Sequence, residues 1–135
     1  MNTGYLLISV AKKLRYQLNS ELQKIDITSQ QWAVIINIDL LAANGIVTLI
    51  DIAKHLEIDK PTMTGIINRL EKKKLINKSK HPTDNRAHAL TLSNDGRKIL
   101  KDYQSFGDDV LNNFLEKISP AEQQQLHDIL DKLNK

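Results

Sequence analysis

Between Thr48 and Gly96 the chain runs through two short helical patterns, a lysine run and a polar hairpin, and few folds accommodate that order. The first pattern is Thr48-Leu-Ile-Asp-Ile-Ala-Lys-His-Leu56 and the second Pro61-Thr-Met-Thr-Gly-Ile-Ile-Asn-Arg-Leu70, joined by Glu57-Ile-Asp-Lys60. Lysines 72 to 74 lead into an extended segment whose tip reads His81-Pro-Thr-Asp-Asn-Arg-Ala-His88. Two short helices set at an angle and followed by a basic hairpin are the parts of a winged helix-turn-helix, whose second helix enters the DNA major groove.

The distribution of charge supports that reading. The net charge of +3 conceals a division. Residues 1–53 are neutral, residues 54–88 carry nine basic against four acidic side chains, and residues 89–135 carry six against eight. A positive patch confined to the reading head is the footprint of a local phosphate-binding surface. The 135 residues suit one domain. No apolar run is long enough to span a bilayer, and Met1-Asn2-Thr3 lacks the basic start of a signal peptide. The absence of cysteine excludes a disulfide framework, a thiolate switch and a cysteine-based zinc site. No membrane partner is expected, and a cytoplasmic protein fits.

Helical spacing of Leu7, Val10, Leu14, Leu18, Leu22 and Ile25 predicts a first helix over roughly 25 residues. Thr28 and Gln31 form a capping box for a second, with Trp32, Ile35, Ile36 and Leu40 as its inner face and Asn44-Gly45 as its end. Ile46 and Val47 suggest a short strand before Thr48 caps the third helix. Strands are expected at 75–80 and 87–92. Ser93 should cap one long helix whose apolar positions run from Ile99 to Leu115, and Ser119-Pro-Ala-Glu122 should start the last. The expected fold is mainly α with a small β-wing. It comprises one domain, 1–135, with a winged helix-turn-helix over 28–92 and dimerisation helices over 1–27 and 93–135. Apolar stripes at both ends, including Leu7, Val10, Leu14, Leu126, Ile129, Leu130 and Leu133, exceed what so small a module can cover, which implies a homodimer.

On the second helix of the reading head, Met63, Ile66, Ile67 and Leu70 fall on one buried face. Pro61, Gly65, Asn68 and Lys72 lie opposite, with Thr64 and Arg69 on the shoulders and Thr62 nearer the edge. Gly65 costs about 1 kcal/mol inside a helix, so it needs a reason: close approach of the backbone to DNA on one side, tight packing or sequence drift on the other. Asn68 is suited to an adenine edge and Thr64 to a thymine methyl or a phosphate. Asp59 is the expected N-cap, leaving Lys60 where phosphate is welcome. In the wing, Arg86 suits a narrow minor groove, Asp84 organises the loop or orients the guanidinium, and Asn85 and His88 flank it. The four histidines form no sequence-local metal site. No phosphate-binding glycine loop or nucleophile–base spacing supports an enzyme or a cofactor.

In order, Leu49-Ile-Asp-Ile-Ala53, Pro61 through Glu71, Leu75-Ile76, Asp84-Asn-Arg-Ala87 and Leu92-Ser-Asn-Asp-Gly96 resemble the multiple-antibiotic-resistance-regulator (MarR) family over about residues 5 to 133. The resemblance implies a homodimeric, sequence-specific regulator, a repressor on a pseudo-palindromic duplex. Residues 60–72 would read the major groove and the Arg86 wing the minor groove. It also implies release by a small aromatic or anionic effector between the dimer and reading halves, where Trp32 is a candidate wall. The family usually has glycine where Lys74 stands, so a strained or altered helix end and a displaced wing are expected. The cysteine of the peroxide-sensing branch is missing. The alternative readings are a winged helix that docks protein and an architectural protein without sequence preference.

Overall fold

The computed structural model describes residues 1–135. The elements are α1 (Thr3–Gln23), α2 (Ser29–Ala42), α3 (Leu49–Leu56), α4 (Lys60–Lys72), β1 (Ile76–Lys80), β2 (His88–Leu92), α5 (Asn94–Tyr103), α6 (Phe106–Phe114) and α7 (Pro120–Leu133). A 3₁₀ turn, Leu115–Lys117, joins the last two helices. Residues 1–20 with 105–135 form one compact unit, and residues 21–104 form a second.

The second unit is a winged helix-turn-helix built on a continuous apolar core. Val34, Ile35 and Ile38 of α2, Ile52 of α3, and Met63, Ile67 and Leu70 of α4 are buried with Ile76 of β1 and Leu90 of β2. Both capping boxes that start α2 and α3 are closed, Thr28 with Gln31 and Thr48 with Asp51. The inner face of α2 differs from the expected one. Trp32 and Ile35 are buried, but Ile36 and Leu40 are exposed and Gln31, Val34, Asn37 and Ile38 take their place. An almost uniformly apolar helix leaves the choice of face to tertiary packing. No strand forms at Ile46–Val47. The Val47 carbonyl only accepts the Leu90 N–H at 2.8 Å.

The hairpin is antiparallel, running from Ile76 opposite Leu92 to Lys80 opposite His88. Its base is joined to α4 and α5 by backbone. α4 ends in a Schellman turn. The Lys74 N–H reaches the Glu71 carbonyl at 2.9 Å and the Leu75 N–H the Leu70 carbonyl at 3.0 Å, with Leu70 and Leu75 both buried. Lys74 supplies the left-handed residue at φ 63°. The helix end is thus strained, as expected, and the turn keeps the geometry that glycine would give it. The same turn ends α1 at Asp26 (φ 56°) and α3 at Glu57 (φ 55°), with Ile27 bonded to Leu22 and Ile58 to Ala53. Three charged residues therefore occupy positions that favour glycine.

Ser93 fastens the other side of this corner. Its hydroxyl donates to the Lys74 carbonyl at 2.7 Å and accepts the Gly96 N–H at 3.0 Å, and its own N–H donates to the Leu75 carbonyl at 3.0 Å. A Cβ on Gly96 would collide with that Leu75 carbonyl.

The expected long helix after Ser93 is broken at Gln104–Ser105 into α5 and α6. Ser105, Gly107 and Asp108-Asp109 are poor helix-interior residues, and the acidic pair is better placed in a first turn. In the first unit only Val110 is a buried apolar residue. Leu7, Val10, Leu126, Ile129, Leu130 and Leu133 are exposed, and Leu14 is half-buried.

The corner makes two opposite predictions. Lys74→Gly relieves left-handed strain and should stabilise the fold by about 1 kcal/mol. Gly96→Ala should destabilise it by roughly 1–3 kcal/mol through the clash with Leu75. Urea unfolding at one fixed protein concentration reads both signs.

Candidate nucleic-acid interface

α4 begins where Asp59 caps it. Its carboxylate accepts the Thr62 N–H at 2.8 Å through one oxygen and the Thr62 hydroxyl at 2.8 Å through the other. These two bonds, the backbone one first, hold the Asp59 carboxyl below its ordinary value of 3.8. A depressed folded-state pKa means that the cap contributes fully above that ordinary value and is lost as pH falls through the depressed one. Pro61 has no N–H and Thr62 is capped, so the expected amide-rich terminus is reduced to the Lys60 N–H. The Lys60 ammonium supplements that single N–H as a donor at this terminus.

The outward face of α4 carries the residues expected on it. Lys60, Pro61, Thr62, Thr64, Asn68, Arg69 and Lys72 are exposed and Gly65 is half-exposed, opposite buried Met63, Ile66, Ile67 and Leu70. Their hydrogen-bonding capacity is narrower than composition suggests. The Thr64 hydroxyl donates to the Lys60 carbonyl at 2.9 Å, and that of Thr62 is spent on Asp59. Each threonine therefore offers outward only a methyl and a hydroxyl lone pair. Asn68 is not unpartnered: its Oδ1 accepts from Lys78 Nζ at 2.7 Å.

Nothing in the chain packs tightly on Gly65. A Cβ there would meet only the Arg69 guanidinium, at an ordinary 3.6 Å. Tight intramolecular packing is therefore not the reason for this glycine, which leaves close approach to DNA or sequence drift.

The lysine run divides into three roles. Lys72 is exposed on α4, and Lys74 makes the left-handed turn. Lys73 is structural: Nζ donates to the Asp26 carbonyl and to Oε1 of buried Gln31, the latter at 3.0 Å, and pairs with the Asp26 carboxylate at 3.7 Å. Lys78 is likewise engaged, 3.5 Å from Glu71. The cations left without an ion pair around the reading head include Lys60, Arg69, Lys72, Lys80 and Arg86.

The wing tip is organised by two side chains. Asp84 Oδ1 accepts the Arg86 backbone N–H at 2.9 Å, an Asx-type turn, and makes no ion pair with the guanidinium. Sequence reasoning left open which of the two Asp84 would do. It assigned no such role to His81, whose Nδ1 accepts the N–H groups of Thr83 at 3.2 Å and Asp84 at 3.0 Å. A histidine just before Pro82, at the mouth of a polar turn, was the available signal. The result presents exposed Asn85 and Arg86 at the tip and His88 at the start of β2. No cluster of three metal-ligating side chains occurs. Trp32 is buried in the second unit.

Comparison with known proteins places this geometry. The MarR family model matches residues 27–88. The chain is 34% identical over 132 residues to the HTH-type transcriptional regulator FarR of Neisseria gonorrhoeae, covering 96% of this chain and 86% of FarR. Its fold is similar to a cysteine-to-serine mutant of E. coli MarR complexed with operator DNA, at TM-score 0.82 and 26% identity over 96% of this chain and 91% of that one. It is also similar to Bordetella bronchiseptica BpsR, whose DNA binding is regulated by 6-hydroxynicotinic acid, at TM-score 0.79 and 26% identity over 98% of each chain.

Gly65→Ala separates stability from binding. With open space for the methyl, the substitution should stabilise the protein by about 0.5–1 kcal/mol. If the α4 backbone closes on a duplex at this point, the same methyl should weaken DNA binding. Thermal unfolding and fluorescence anisotropy on one preparation would read both, with opposite signs expected.

Proposed function

The chain belongs to the MarR family, and on that footing we propose that two copies act together as a sequence-specific, DNA-binding regulator of transcription. The observation that carries this is the exposed face of α4. It is polar, positively flanked and open at Gly65, on the helix that a winged helix-turn-helix lays in the major groove. The wing supports it, with Arg86 exposed at a tip fixed by His81 and Asp84 and suited to the minor groove. The relatives reported above are regulators, not enzymes.

Repression is the expected sense of regulation, since a dimer seated on a palindrome blocks access to it. Release by a small aromatic or anionic effector is part of the proposal, and similarity to BpsR supports it. The second copy is required by the first unit, which buries one apolar residue and exposes a stripe through Leu7, Ile129, Leu130 and Leu133. A groove of about 990 Å³, lined by Val10 and Tyr16 of α1, Phe114 of α6, and Leu126 and Ile129 of α7, continues that stripe. So much apolar surface on so small a unit marks an obligate interface. The unpaired cations of the reading head favour a nucleic acid over a protein as the occupant of α4, and steep salt dependence of binding would distinguish them.

Selection from a pool of random duplexes tests the proposal. The enriched sequence should be pseudo-palindromic, with half-site centres roughly 34–36 Å apart. Sedimentation of the free protein at micromolar concentration should show a dimer. A well-folded monomer, or no enrichment at all, would contradict it.

Wing variants give an independent prediction. Arg86→Ala should lower affinity, most on A·T-flanked sites, and flatten the salt slope by about one unit. His81→Ala and Asp84→Ala should lower affinity less and leave the slope unchanged, because each removes a loop bond and no phosphate contact. Combined with Arg86→Ala, either should add little, which titrations at several salt concentrations would resolve.

A further inference from the structure

Lys78 lies on β1, yet its ammonium is turned back onto α4, 2.7 Å from Asn68 Oδ1 and 3.5 Å from Glu71 Oε1. Asn68 and Glu71 are one turn apart, so a single ammonium spans both. The Lys78 side chain is only 26% exposed, because residues 76, 78 and 80 share a strand face that begins with buried Ile76. Asn68 itself is exposed on the outward face.

The consequence lies in the amide. A free asparagine reads adenine with both ends of its carboxamide, accepting from the amino group and donating to N7. An ammonium has three donors and no acceptor. The carboxamide facing Lys78 must therefore turn its oxygen inward and its NH₂ away. Glu71 favours this arrangement: its carboxylate, 3.5 Å away, offsets the lysine charge and draws the ammonium toward the helix.

We propose that Lys78 is a positioning residue for base reading: it holds the Asn68 oxygen turned inward, so that Asn68 presents its NH₂ to DNA as a hydrogen-bond donor. The base edge selected offers an acceptor, N7 of a purine or O4 of thymine, and the N4 amino group of cytosine on the contacted strand is refused. This rests on α4 being the major-groove helix, and the adenine-specific reading of Asn68 gives way to a broader selection of acceptors.

The test uses the full chain and a pool of duplexes randomised over roughly 20 base pairs, two half-sites one turn apart. The bound fraction is sequenced for the native protein and for Asn68→Ala, Lys78→Met, Lys78→Gln and Lys78→Arg. At one position per half-site the native protein should disfavour cytosine by about tenfold. Lys78→Met should lose that refusal while the rest of the preferred sequence stays unchanged. Lys78→Gln, whose own amide accepts as well as donates, should relax in the same way. Lys78→Arg, donor-only like lysine, should keep it. Preferences are ratios within each bound pool, so a variant of lower stability still reports. Unchanged base preference in Lys78→Met and Lys78→Gln, with affinity falling on all sequences alike, overturns the proposal and makes Lys78 a phosphate contact. Loss of the refusal in Lys78→Arg overturns it too. An Asn68→Ala profile identical to the native one would show that Asn68 reads no base and overturn the proposal, whereas no enrichment by the native protein itself would sink the reading of α4 as the DNA-contacting helix.

Discussion

The bond from the Ser93 hydroxyl to the Lys74 carbonyl is the closure on which the reading head depends. It joins the end of α4 to the start of α5, and the strands between them leave and return at one point. A hairpin of five-residue strands is marginal alone. Anchored at its base by Ser93 and Leu75, and at its inner edge by Val47, it becomes an arm of fixed origin. The position of Arg86 relative to α4 is then set by backbone geometry, with side chains such as Asp84 and His81 trimming only the tip.

Much of this was legible in the sequence wherever a local rule had no competitor. The capping boxes at Thr28 and Ser119, the Thr48 and Asp59 caps and the buried face of α4 all follow from spacing and side-chain chemistry within four residues. The two strands around a polar tip follow likewise, within a residue of their ends. What was not legible depended on partners far along the chain. Lys73 finds residues 42 and 47 positions away, and Lys78 finds Asn68 across a turn whose geometry no local pattern states. The buried face of α2 is not fixed by its own sequence, because an apolar helix offers several. The break at Gln104–Ser105 is hidden in the sequence because the apolar period runs through it.

The same distinction governs how charge should be read. A count of positive residues over 54–88 treats every lysine as a phosphate partner. In the fold, Lys73 satisfies a buried glutamine and a helix end, Lys78 holds an amide, and Lys74 carries a backbone angle. Substituting Lys73 would disturb the corner between α1 and α2 before it touched any phosphate. The electrostatic surface offered to DNA is smaller and better defined than the composition implies.

The nearly coreless first unit has a consequence for gene dosage. Where folding of that unit and pairing of two copies are one event, the amount of competent reader at low copy number rises with about the square of the protomer concentration. Halving synthesis then removes roughly three-quarters of the reader. Occupancy of a regulatory site therefore responds to expression as a threshold, a steepness that arises from missing buried side chains and needs no cooperativity between neighbouring DNA sites.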